Sequence, residues 1–171
     1  MEVHDHPGNT FLKSDADMEA GLRRLVDAAQ GHPMDLNLSD IHTFDGKPEN
    51  PYLPHNYNEN LIVYTGTHDN NTTRGWFEKD ASPQTRRNLF DYLGHKVPAS
   101  QVPWALMRVA VGSVAKIAIV PMQDVLGLGS SARMNLPAKS KGNWKWRMHP
   151  GQTTPRLAQK LRRLTSTYGR E

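Results

Sequence analysis

At 171 residues the chain can bury the core of one domain, and 37% hydrophobic against 22% charged residues is the composition of a soluble globular protein. No cysteine occurs, which excludes disulfides, thiolate zinc sites and a cysteine nucleophile, and makes a reducing cytoplasm the default compartment. The net charge of +4 gathers in Arg156, Lys160, Arg162, Arg163 and Arg170 and in Lys139, Lys141, Lys145 and Arg147, a pattern of solvated faces, so no nucleic-acid partner is expected.

No apolar run approaches the roughly 18 residues of a membrane span, and Met1-Glu2-Val3-His4-Asp5-His6 has neither the basic nor the apolar region of a secretory signal. Residues 1–13 have no period. Ser14-Asp15 offers cap chemistry, and Met18, Leu22, Leu25, Val26 and Ala29 recur at helical spacing up to Gly31 and Pro33. This spacing predicts a helix over 15–30. Leu36, Leu38 and Ile41 can form a short strand; the remainder of 34–60, punctuated by Gly46, Pro48, Pro51 and Pro54, reads as a long loop. Its aromatics Tyr52 and Tyr57 need somewhere to pack, which favours a functional loop over a disordered one.

Leu61-Ile62-Val63-Tyr64 reads as a strand buried on both faces, as in a parallel sheet. It runs into the polar cluster Thr65-Gly66-Thr67-His68-Asp69-Asn70-Asn71-Thr72-Thr73. A helix follows over 83–95, with Pro83 at its start and Gly94 at its end, and Pro103 begins another through Ala110. Val114 to Pro121, with Ile117, Ala118, Ile119 and Val120, reads as a second buried strand. It too ends in a polar, glycine-rich loop, running through Gln123, Asp124, Gly127, Gly129, Arg133 and Asn135 to Trp144, Trp146 and Arg147. Thr153-Thr154-Pro155 starts a last helix with Leu157, Leu161 and Leu164 on one face. Buried strands alternating with helices are the grammar of an α/β fold with a parallel sheet.

In such folds, sites collect at the C-terminal ends of the strands. His68-Asp69 stands at one of these ends, where a carboxylate can accept from two sugar hydroxyls and an imidazole can donate or accept. The competing reading makes Asp69 and Asn70 the cap of the next helix, and Thr72 and Thr73 turn residues. Trp144 or Trp146 can stack on the apolar face of a sugar or pack the loop against its neighbours. Arg133 and Arg147 are expected to pair with buried carboxylates such as Asp124. Gly127 and Gly129 lack the surroundings of a nucleotide loop, so no cofactor is called for. The eight histidines are scattered without ligand spacing, and no metal site is expected.

Five blocks, in order, resemble the 4-α-glucanotransferases of glycoside hydrolase family 77. They are Asn50-Pro51-Tyr52-Leu53-Pro54-His55-Asn56-Tyr57, Val63-Tyr64-Thr65-Gly66-Thr67-His68-Asp69-Asn70, Pro121-Met122-Gln123-Asp124-Val125-Leu126-Gly127-Leu128-Gly129, Ala132-Arg133-Met134-Asn135 and Gly142-Asn143-Trp144-Lys145-Trp146-Arg147. The resemblance covers residues 41–170 and implies a partial (β/α)8 TIM barrel, the last two β/α units with long strand-end loops. It implies two parts: 1–35, an N-terminal segment of unclear origin with one helix, and 36–171, the C-terminal part of a glucanotransferase-like barrel. The implied activity is transfer of α-1,4-glucan segments, in starch or maltodextrin metabolism, by a retaining double displacement. The resemblance makes Asp69 the carboxylate that stabilises the transition state. It makes His68 and Asn135 substrate contacts, and brings Asp45 near a sugar-binding aspartate of the family. The implied partner is an α-1,4-glucan or maltooligosaccharide.

The family's nucleophile block, Arg-x-Asp-His-Phe, and its acid/base block, Glu-Asp-Leu-Gly, do not occur in the 171 residues. His4-Asp5-His6 and Phe90-Asp91-Tyr92-Leu93-Gly94 only echo them and take neither role. The isolated chain is therefore expected to be an inactive fragment whose exposed barrel edges favour self-association. The alternative is a non-catalytic remnant that binds glucan or docks on a partner chain.

Overall fold

A computed structural model describes residues 35–38 and 43–170; the helix expected over 15–30 and Ile41 lie outside them. Three short strands, β1 (Asp35–Asn37), β2 (Ile62–Tyr64) and β3 (Ile117–Ile119), form one parallel sheet in the order β1-β2-β3. Asp35 is in register with Ile62, and Ile62 with Ile117. The α/β grammar read from the sequence holds, and the short strand expected near Leu36 joins the two apolar runs as a third sheet member.

Between β2 and β3 run three helices. α1 (Thr73–Gly75) continues directly into a π-helical turn over Trp76–Asp80. The Thr72 side chain accepts from Gly75 N, so Thr72, and not Asp69 or Asn70, caps it. The sequence reading missed this element, because three residues are too few to show a helical period. α2 (Pro83–Leu93) starts with Pro83 in its first turn and a Ser82 cap on Thr85 N, and stops at Gly94, whose φ of 75° suits a residue without Cβ. α3 (Val102–Gly112) carries Pro103 in its first turn and buries Leu106, Met107 and Ala110 completely.

β3 departs from expectation. Ile117, Ala118 and Ile119 are only half-buried, because among the described residues β3 is a sheet edge paired with β2 alone. The segment after it is also not all loop. α4 (Met122–Val125) is one helical turn that buries Gln123, Asp124 and Val125, and a 3-10 turn follows at Ser130–Ala132. α5 (Pro155–Thr167) is capped by Thr154 on Leu157 N and turns Leu157, Leu161 and Leu164 inward as the period predicts.

One apolar cluster joins the 43–61 loop to β2, the π-helical turn, α2 and α3 through Phe44, Leu53, Leu61, Val63, Trp76, Leu89 and Leu106. The aromatics of the long loop do pack: Tyr57 is buried and its hydroxyl donates to Tyr52 O at 2.9 Å, and Phe44 meets Tyr92 edge to face. A second cluster, Met107, Val111, Val125 and Leu164, docks α5 and α4 on α3. The Arg170 guanidinium donates to the carbonyls of Val111 and Ser113 and ties the end of the described chain to α3. Both clusters leave the C-terminal ends of β2 and β3 to polar loops.

Candidate functional site

The loop after β2 is built by its own side chains. Asn70 Oδ1 accepts from Thr67 N (2.9 Å) and Thr67 Oγ1 (2.6 Å), a side-chain-closed turn that lifts His68 and Asp69 into solvent. Their side chains are 58% and 50% exposed, as a site facing a soluble ligand requires.

The loop after β3 reaches across to them. Asn135 N donates to His68 O at 3.0 Å, and Asn135 Nδ2 donates to Asp69 Oδ1 at 2.5 Å. His68 Nε2 stands 3.4 Å from the same Oδ1. Among the described residues, Asp69 Oδ2 has no hydrogen-bond partner, so on this half-exposed side chain one carboxylate oxygen is anchored by protein and the other is left to accept from a ligand. The Trp144 ring lies on the His68 ring at 5.2 Å between centroids and is 51% exposed. A cavity of about 440 Å³ opens beside this group, lined by Tyr64, His68, Asn71, Gln123, Asp124 and Arg133 among others. Asp69 and Asn135 stand outside its wall.

Three of the four site residues expected from the sequence thus come together: His68, Asp69 and Asn135. Asp45 does not join them through any hydrogen bond among the described residues. It lies exposed on the loop before β2, its carboxylate accepting from Lys47 N at 3.0 Å. The Asn50 side chain and that backbone N–H hold its carboxyl below the ordinary 3.8.

The arginines behave differently from expectation. Arg133 does not pair with Asp124. Its Nε donates to Asn135 O and its Nη2 to Asp69 O, each at 2.7 Å. It is a five-donor fork, and these two donors close the two loops on each other through their backbones. Arg147 donates to the carbonyls of Trp144 and Trp146 at 2.8 Å. The residues between are cinched by Asn143, whose Oδ1 accepts from Leu136 N and whose Nδ2 donates to Leu136 O and Lys139 O. Trp144 follows with a left-handed φ of 62°, its N–H donating to Met134 O at 2.7 Å. A tryptophan rarely adopts such a backbone, and the strain is held by these surrounding bonds. Sequence reasoning had named Trp144 but had no signal for its seat on His68, which depends on two loops 76 positions apart in the chain.

The family model for 4-alpha-glucanotransferase matches residues 32–154. A 4-alpha-glucanotransferase of Synechocystis is 50% identical over 128 residues, covering 74% of this chain and 25% of the relative. The chloroplastic/amyloplastic enzyme of Solanum tuberosum is 50% identical over 131 residues, covering 74% and 22%. That of Thermus thermophilus is 45% identical over 133 residues, covering 74% and 26%. Among solved structures, amylomaltase from Streptococcus agalactiae in complex with acarbose superposes with a TM-score of 0.74 at 28% identity, over 95% of this chain and 31% of that one. The chain spans about a quarter of the length of the curated relatives it matches. It belongs to the 4-alpha-glucanotransferase family.

Proposed function

We propose that residues 36–171 are the C-terminal part of a glucanotransferase (β/α)8 barrel, its last two β/α units, and that residues 1–35 are a separate segment. In this reading the chain supplies part of a site for α-1,4-glucan, with Asp69 as the carboxylate that stabilises an oxocarbenium-like transition state. His68 and Asn135 hold the same sugar unit, Trp144 offers its exposed face to a sugar ring, and Asp45 contributes from the preceding loop. The observation that carries the reading is the half-anchored Asp69: Asn135 fixes Oδ1 and Oδ2 is left to accept from a ligand. A carboxylate held this way can accept sugar hydroxyls on Oδ2 without reorganising. No helix among the described residues is long and apolar enough to cross a membrane.

The chemistry itself is assigned elsewhere. Retaining transfer needs a nucleophile and an acid/base about 5–5.5 Å apart, and neither family block occurs among the 171 residues. The chain alone therefore binds glucan without transferring it. The test is glucose release from maltotriose by the purified chain and by its Asp69→Ala variant, with the equivalent substitution in a full-length relative. The reading expects no release from either form of the chain. In the relative it expects a loss of at least about a hundredfold in kcat, ~2.7 kcal/mol, with KM little changed. Release by the chain would overturn the division of labour, and an unchanged kcat in the relative would remove Asp69 from catalysis.

A further inference from the structure

Asp124 reaches the wall of the cavity beside the site but forms no hydrogen bond with His68, Asp69 or Asn135, and it is the most thoroughly buried carboxyl of the described residues, at 1% exposure. Both of its oxygens accept. Oδ1 takes Thr73 N at 2.9 Å, and Oδ2 takes the Thr65 hydroxyl at 2.7 Å and the Thr73 hydroxyl at 2.5 Å. Thr65 and Thr73 are themselves fully buried. Thr65 is the residue that leaves β2, and Thr73 is the first residue of α1. One carboxylate from α4 therefore grips both roots of the loop whose tip carries His68 and Asp69.

We infer that Asp124 is the positioning residue of this site: it fixes the span of the 65–73 loop, and through it the placement of His68 and Asp69 against Asn135 and Trp144. Three observations converge. A buried carboxylate is costly, and an apolar side chain of similar volume would serve a core at lower cost, so its retention calls for a geometric reason. Among the described residues, its three donors all come from the two loop roots. The loop tip is held independently by Arg133 and Asn135, so the roots and the tip are both tied to the segment following β3. With Asp124 removed, Thr65 N still donates to Ile119 O and Thr73 Oγ1 to Thr65 O, each at 3.3 Å, but the bonds from both roots to α4 are gone, and the tie to the segment after β3 is left to the solvent-exposed, weaker tip contacts. A shift of about 1 Å at such a site is enough to spoil a productive geometry.

The inference rests on the proposed function only in calling this a substrate site, and its test needs no sugar. In the full chain, NMR cross-relaxation between the His68 and Trp144 rings reports the tip, and slow amide exchange of Ile62–Tyr64 reports the sheet. Asp124→Leu, which removes both acceptor oxygens and with them all three hydrogen bonds, is expected to lose the His68–Trp144 cross-peaks severalfold while the β2 amides stay protected. Asp124→Asn is expected to keep them, since Oδ1 still accepts from Thr73 N and the two hydroxyls can turn to accept from the amide. If Asp124→Leu leaves β2 unprotected, the double variant Thr65→Val with Thr73→Val decides, because it removes both hydroxyls and spares the carboxyl; the same severalfold loss is expected. A residue that only stabilises would lower the unfolding midpoint and leave the cross-peaks of the folded population at full strength. That result, in whichever variant folds, overturns the inference. Failure of maltotriose to bind the parent chain would sink the proposed function and leave this result untouched.

Discussion

Replacing Gly75 with alanine sets helix propensity against packing. Gly75 sits in α1 with helical backbone angles, φ −62° and ψ −41°, so propensity alone predicts a gain of about 1 kcal/mol. The space around it predicts the opposite. A Cβ there would overlap Asn71 Oδ1 and stand 2.6 Å from Ser130 Oγ. Asn71 cannot retreat freely: its Oδ1 accepts from Thr72 N and its Nδ2 donates to Asp80 Oδ2, both at 3.0 Å. Overpacking costs about 1–3 kcal/mol, and weakening those two bonds costs about 0.5–1.5 kcal/mol each. Net of the propensity gain, Gly75→Ala should destabilise by about 1–5 kcal/mol. Denaturant unfolding of the two proteins measures this directly. Ser130 Oγ is buried and, among the described residues, has no partner. Ser130→Ala should therefore be neutral or stabilising by about 1 kcal/mol, and should shrink the Gly75→Ala penalty when the two are combined, a coupling that a double-mutant cycle resolves. A Gly75→Ala variant more stable than its parent, or strict additivity with Ser130→Ala, would refute the close approach of α1 to the loop after β3.

Burial pushes the Asp124 carboxyl above its ordinary 3.8, outweighing the Thr73 and Thr65 hydrogen bonds that pull it down. The folded chain then holds this proton to higher pH than the unfolded chain, so the contribution of Asp124 to stability falls as pH rises from 3.8 through the folded value. The stability difference between the parent and Asp124→Asn should shift in favour of the variant over that window; a shift the other way would contradict the burial argument. Ala138 is exposed with φ 66°, so Ala138→Gly should remove about 1–2 kcal/mol of left-handed strain and lose about 0.4–1 kcal/mol to chain entropy. Thermal unfolding should show a small net stabilisation. Asn135→Asp sets a second carboxylate against Asp69 Oδ1 in place of the amide donor. The His68–Trp144 cross-peaks should weaken at neutral pH, whereas cross-peaks of parental strength would show that this contact does not order the loops.

What the sequence made legible were features carried by local chemistry. Leu61–Tyr64 announced β2 because four apolar residues end abruptly in Thr65-Gly66-Thr67-His68. Pro83 and Gly94 bounded α2, and the leucine spacing gave the buried face of α5. The features that stayed hidden depend on partners distant in the chain. The exposure of β3 follows from its place at the sheet edge, which its apolar run cannot reveal. Asp124 looked like a partner for arginine, because a buried carboxylate suggests a cation, yet three donors from two threonines satisfy it. Arg133 was expected to pair with a buried carboxylate such as Asp124, but its acceptors are backbone carbonyls, which no side-chain pattern encodes. His68, Asp69 and Asn135 were found through motif resemblance, and only the folded loops bring Asn135 onto Asp69.

The central claim is that the half-anchored Asp69 and its neighbours form a glucan-binding surface. The most direct measurement is an NMR titration of the 171-residue chain with maltotriose, following His68, Asp69, Asn135 and Trp144 in the parent and in Asp69→Ala. The account predicts saturable shifts confined to these residues and those lining the adjacent cavity, with binding weakened at least tenfold in the variant. Shifts absent here, or saturating elsewhere on the chain and indifferent to Asp69, would contradict it.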